Sequence, residues 1–392
     1  MKKLVLSLSI VALFLGSCSS DNEEITTDPI RTGTISGEIT TAISYPKGNY
    51  TIQGTVKVKN GGSLTIEAGS VITAVLTDGS DALLVENGGK LFLNGTAALP
   101  IVFTEASKTP GSWGGIIMVG DAPIVGAKSV ATATTEDGNN LPYGGTNDTH
   151  NGGTLKYVRV EYAGKKLTDN TSEMNGFSFY SVGSGTVLEN LVAYKGADDG
   201  FEFYGGTVSA KNLISYGNFD DSFDWQDGWR GDANTNWYAY QVVTGNYGME
   251  IEAKSINNAF GPKVSNITLT RAAGTVTEGG SSANEFDAIQ FKKEGNGEYT
   301  NVVISGYTTS NTTLTATAVR IQDKSTNDNQ VTGGKIKMLN VKINDGTSQF
   351  AGVGTTFTVA FPTGNYTTSS TATGATLTAG AWAIVDGVSL IK

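Results

Sequence analysis

The chain has 392 residues, a formal net charge of −10, 51 glycines and only 16% charged residues. That composition favours turns and strands over helices, and it excludes a nucleic-acid backbone as partner, because phosphate binding needs clustered Lys and Arg. A single Cys excludes an internal disulfide, and a single His leaves a His-built metal centre without partners.

Lys2 and Lys3 precede an apolar stretch from Leu4 to Leu15, the pattern of a leader. Leu15-Gly16-Ser17-Cys18 closes it with small residues and the lone Cys. This tetrapeptide resembles the lipobox of bacterial lipoproteins. The resemblance implies a signal peptide over residues 1–17, acylation of Cys18 and outer-membrane lipid as partner; the alternative is an ordinary secretory signal with an unrelated Cys. Residues 18–34 are polar, with Asp21, Glu23 and Glu24 near the Cys, and are expected to form a flexible tether. An acidic stretch at this place is similar to the surface-export signal of Bacteroidetes lipoproteins and implies display at the cell surface. No later segment is apolar for long enough to span a membrane as a helix.

From residue 35 the chain alternates apolar and polar residues between Gly-rich turns. Gly54 to Lys59 leads to Asn60-Gly61-Gly62, and the same triplet returns at Asn87-Gly88-Gly89. Ser129 to Asn151 is polar and Gly-rich, the pattern of a loop over one face. Beyond it, Asn followed by an apolar residue opens a short strand-like run at Asn190, Asn212, Asn236, Asn266, Asn301 and Asn340. Recurrence at steps of 22 to 39 residues marks stacked structural repeats, the shortest step being one bare coil. A second column reads small, apolar, polar, apolar, as in Gly200-Phe201-Glu202-Phe203 and Ser222-Phe223-Asp224-Trp225. Alternation in a strand sends its two apolar residues inward and the central polar residue outward. The predicted interior files are Phe177, Phe201, Phe223, Met249, Ile289, Val319 and Phe179, Phe203, Trp225, Ile251, Phe291, Ile321. The Asn file is expected at a turn, with amides bonded from rung to rung.

Two or three short strands per coil of this length fit an all-β, right-handed parallel β-helix. The opening coils and the repeat resemble pectin-lyase-like β-helix proteins of bacterial surfaces over about residues 35–345. Residues 346–392 are expected to form a terminal coil or cap, since an exposed β-helix end must be covered.

Asp198-Asp199-Gly200-Phe201-Glu202 recurs 22 residues later as Asp220-Asp221-Ser222-Phe223-Asp224. One coil apart means one rung apart, so six carboxylates gather on adjacent rungs. Two like charges about 4.8 Å apart repel by about 0.9 kcal/mol in water and about 3.5 kcal/mol at an effective dielectric of 20. Solvation, raised pKa values or a bound cation can relieve this. Three readings follow: a solvated acidic face; a Ca²⁺ site built from Asp198, Asp199, Glu202, Asp220, Asp221 and Asp224; or an acid/base site with Asp199, Asp221, Asp224, Glu202 and Arg230 as catalytic candidates. The resemblance implies the last, because related hydrolases carry Asp-Asp pairs on adjacent rungs and related lyases pair a Ca²⁺-binding acidic set with an Arg or Lys base. Lys195, Lys211 and Arg230 are the basic groups expected to offset the charge. Trp225 and Trp237 fall on inward positions, whereas Trp229 is expected in a turn, where it could stack on a sugar ring. No P-loop Lys follows the Gly-rich segments, so nucleotide binding has no support.

The expected function is lipid-anchored, non-catalytic binding of glycans or other surface ligands. The alternative is a polysaccharide lyase or glycoside hydrolase working at the stacked carboxylates.

Overall fold

The computed structural model of the protein describes residues 30–75, 80–125, 131–165, 173–255, 258–278, 285–308, 316–345, 347–353 and 357–392. Cys18 and the leader lie outside the described residues, as does the tether up to residue 29.

Inward files of apolar residues build the body. Val56, Leu83, Ile116, Phe177, Phe201, Phe223, Met249, Ile289, Val319 and Phe350 pair in parallel register, each with the next. The predicted file is therefore continuous, and it extends in both directions. Its aromatic centre stacks ring on ring: Phe177 to Phe201 at 5.0 Å, Phe201 to Phe223 at 5.7 Å. Burying each such ring stabilises the stack by roughly 2 kcal/mol. Among the described residues, twenty-four strands join in one parallel system, an all-β, right-handed parallel β-helix. Two antiparallel strand pairs among the described residues are two-residue hairpins, Ala133–Thr134 with Pro142–Tyr143 and Ile384–Val385 with Val388–Ser389.

The Asn file sits where each long strand of the other series bends. Asn190, Asn212, Asn236, Asn266, Asn301 and Asn340 all have φ between 57° and 59°. Asn is among the few non-Gly residues that tolerate this left-handed region. Each bend turns the strand onto a new face of the coil, and Nδ2 of Asn212 donates to Asn190 Oδ1 at 3.0 Å, as Asn236 does to Asn212. The chain of amides is interrupted at Asn266, whose Nδ2 donates to Thr235 Oγ1, and resumes from Asn301 to Asn266 at 2.7 Å. One rung earlier the bend is made by Tyr157, φ 51°, opposite Asn190. The repeat thus includes a coil with no Asn at its bend.

Two boundaries differ from expectation. Residues 31–34 belong to the strand Arg31–Ile39, which pairs with Gly48–Val58, rather than to a tether. At the other end, Ser348–Gly352 and Tyr366–Thr368 add rung strands. The chain then runs back along the outside: Gly374 and Thr373 donate to Asn301 Oδ1, Thr376 donates to Asn236 Oδ1, and Arg159 Nη1 donates to the carbonyls of Ala381 and Ile384. Trp382, Val385 and Leu390 pack against Tyr162, Tyr194 and Tyr238 in an outer apolar layer. This tail covers the side of the stack as well as its end.

Candidate acidic cleft on the outer face

The strands that put Phe177, Phe201 and Phe223 inside put two columns outside. One runs Ser178, Glu202, Asp224, Glu250, Gln290, Arg320 in direct register. The other, two residues on, runs Tyr180, Tyr204, Gln226 in register. Backbone bonds from Glu252 to Trp225 and from Lys292 to Ile251 continue it. Most of these outward residues are nonetheless buried, and Glu250, Lys292 and Arg320 are half-buried, because neighbouring segments fold over them. The hairpin around Tyr143 lays its ring 5.1 Å from Tyr180 and 6.3 Å from Tyr204. Gln226 Nε2 joins Glu136 Oε1 of the same segment at 3.2 Å.

A polar cavity of about 300 Å³ remains between the covering segments and the sheet. Its carboxylates come from Asp199, Glu202, Asp220, Asp221, Asp224 and Glu250 on the rungs, with Glu136, Glu173, Glu252, Glu278 and Glu285 around them. Three trios place one carboxylate oxygen per residue within 4.8 Å of one another: Asp198, Asp199 and Asp220; Asp199, Glu202 and Asp224; Asp221, Asp224 and Glu250. All six predicted ladder residues are brought together, and Glu250 joins them from the next rung. Some carboxylates are oriented by hydrogen bonds: Asp199 Oδ1 accepts the Asp221 N–H at 2.8 Å, and Asp221 Oδ1 accepts that of Tyr247 at 2.5 Å. Glu202 accepts from Asn175 Nδ2 at 2.7 Å, from Gln226 Nε2 at 2.9 Å and from the Tyr204 hydroxyl. Asp224, only 9% exposed, differs: its Oδ1 is buried with no hydrogen-bond partner, as is Gln226 Oε1. Oxygens left this way in a water-poor site cost free energy unless something binds them.

The electrostatics agree. Burial first, then the neighbouring carboxylates, raises the pKa of Asp199, Asp221 and Asp224 well above the ordinary range. Burial and Glu136 do the same to Glu202, against its hydrogen bonds. Glu252 goes the other way. Burial opposes its ionisation, yet Lys292, Lys254 and Lys293 hold it below the usual carboxylate value. Lys292 pairs with Glu250 and lies 3.4 Å from Glu252, and Lys293 lies 2.8 Å from Glu252.

These lysines, not the expected Lys195, Lys211 and Arg230, are the basic groups of the cleft. Lys195 lies over the Tyr194 ring, Lys211 is exposed, and the Arg230 guanidinium lies 3.9 Å from the ring centre of Phe260, outside the cleft lining. A signal for Lys292 did exist: it occupies the second outward column, two residues after Gln290. Lys254 and Lys293 had none, because they stand in turns of unequal length. Trp229 is likewise not a surface ring. Positive φ at Asp227 and Gly228 curls the turn inward, and Trp229, 1% exposed, stacks on Phe203 at 4.5 Å while its Nε1 donates to the Val208 carbonyl. His150 is buried beneath its loop, where Nδ1 accepts from the Gly183 N–H at 3.4 Å.

Fold and site together define a parallel β-helix protein with a carboxylate-lined cleft on one outer face. Residues 37–385 match the family model described as a pectate-lyase like beta helix domain, and the chain belongs to that family. No curated protein and no solved structure matches it.

Proposed function

We propose that this is a lipid-anchored outer-membrane protein, displayed at the cell surface through acylated Cys18, that binds glycans without turning them over. Ca²⁺ held in the acidic cleft is the link to the ligand. The observation that carries this reading is Asp224 Oδ1, buried without a partner among carboxylates whose burial disfavours their charge. A hard divalent cation, which takes ~6–8 oxygen ligands, is the species that such an oxygen-only donor set suits. Asp199, Glu202, Asp221, Asp224 and Glu250 are the residues that would hold it, and when bound it would offer open coordination positions to sugar hydroxyls or carboxylates. Calorimetric titration of the lipid-free chain with Ca²⁺, followed by a glycan panel with and without chelator, tests this. A melting curve that stays put across millimolar Ca²⁺ removes the cation, and glycan binding indifferent to chelator removes the link. Metabolic labelling with a fatty acid, absent in Cys18→Ser, tests the anchor.

A glycoside hydrolase is the second reading, favoured by the raised carboxyl pKa values, which suit a general acid. The lyase variant has less support. Despite burial, the surrounding carboxylates raise the pKa of both Lys292 and Lys254, so both stay protonated and are poor bases. Arg230, the other candidate base, lies outside the cleft lining. Reducing-end and unsaturated-product assays on the glycan panel separate these readings: turnover abolished by Asp221→Asn makes the protein an enzyme.

A further inference from the structure

We propose a second binding site, for an anionic glycan, at the coil corner formed by Phe260, Lys263, Lys335 and Lys337. It is separate from the acidic cleft and independent of any cation.

The charge there runs against that of the whole chain. At a formal net charge of −10, a surface where lysines outnumber carboxylates stands against the chain's average. A cavity of about 250 Å³ is lined by Lys263, Lys335 and Lys337, with Glu298 as the one carboxylate in its wall. Lys337 already neutralises Glu298 at 3.2 Å. Lys335 Nζ donates to the Asn258 carbonyl at 3.0 Å, which holds its ammonium at the rim without cancelling its charge. Lys263 is exposed. The corner therefore carries a net positive charge toward whatever enters.

An aromatic ring stands beside that charge. Phe260 is 40% exposed and lines the same cavity as the lysines. Arg230 places its guanidinium 3.9 Å from the ring centre, which occupies one face of the ring. Arg230 makes no ion pair within 4 Å among the described residues, and its buried Nε–H has no acceptor. A cation stacked on one face of the ring and the open remainder of the ring beside three ammonium groups make a surface of two chemistries. The C–H face of a pyranose suits the ring, and a sulfate or carboxylate on the same sugar suits the ammonium groups. A free inorganic anion would leave Phe260 unused, and a neutral sugar would leave the lysines unused. The volume lies below the ~300 Å³ at which pockets for drug-sized ligands begin, so one charged sugar unit of a longer chain fits.

The test is isothermal titration of the lipid-free chain at low salt, in EDTA, with a sulfated hexasaccharide and with neutral cellohexaose as control. Wild type binds the sulfated probe, and Asp224→Asn binds it equally well, which separates this site from the acidic cleft. Phe260→Ala and Lys263→Glu, with folding checked by an unchanged circular dichroism spectrum, each weaken binding by at least about fivefold. Binding lost in Lys263→Glu but unchanged in Phe260→Ala reduces the site to a diffuse charge effect and overturns the proposal. Equal affinity for cellohexaose, or no binding of the sulfated probe by wild type, overturns it as well.

Discussion

Replacing Asp224 with Asn separates the electrostatic account of the cleft from a purely steric one. Asp224 shares one trio with Asp199 and Glu202 and another with Asp221 and Glu250, with oxygens within 4.8 Å. At that spacing each ionised pair repels by about 3.5 kcal/mol at an effective dielectric of 20. Four neighbours at this distance are not all ionised at once. The raised pKa values of Asp199, Glu202 and Asp221 mean that protons already relieve part of the repulsion. Removing one charge is thus worth less than one full pair, about 2 kcal/mol of added stability in chelated protein at neutral pH. The new amide also brings N–H donors to a site crowded with acceptors. With Ca²⁺ present the sign reverses, because the variant loses a formal charge and a ligand oxygen, and affinity falls by about tenfold or more. Thermal unfolding in EDTA and in Ca²⁺, with calorimetric titration, reads both effects. A variant that melts lower than wild type in EDTA, yet keeps the full Ca²⁺-induced rise, would refute the reasoning.

Three further outcomes follow from the same structure. Because Asp199, Glu202, Asp221 and Asp224 have folded pKa values above their ordinary ones, the stability they withhold at neutral pH returns as the pH falls toward about 5. Chelated protein should melt higher at about pH 5.5 than at about pH 8, with Ca²⁺ flattening the difference; Glu252, shifted the other way, acts only nearer about pH 4. A melting temperature in EDTA that falls steadily over that acid range would count against buried, repelling carboxylates. At Asn212, φ 58° and two amide bonds make Ala worse than Gly: Gly loses the bonds alone, whereas Ala adds about 1–2 kcal/mol of left-handed strain. Denaturant unfolding that ranks Ala at or above Gly would contradict that assignment. Finally, ending the chain at Ser369 uncovers the layer of Tyr162, Tyr194 and Tyr238 and removes the amide bonds to Asn236 and Asn301. Hydrogen exchange should then speed up on the strands Asn234–Gln241 and Gly297–Ser305, and unchanged protection would mean that the tail ties nothing down.

Much of this protein was legible without coordinates. In a parallel coil the same backbone position recurs directly above itself, so the steric demand at a bend or an inward position is imposed again on every rung. That is why Asn190 to Asn340 share one left-handed bend position, why Phe201 lies over Phe177, and why Asp198 to Glu202 meets Asp220 to Asp224. The arithmetic fails where the segments between rungs differ in length, since no repeated demand acts there. Only the tertiary structure decided that Lys254 and Lys293 meet the acids, that Trp229 turns into the core while Arg230 stacks on Phe260, and that the hairpin around Tyr143 roofs the outward columns. The path of the last residues back along the Asn file is likewise set by long-range contacts, some between residues 278 apart, that local pattern does not encode.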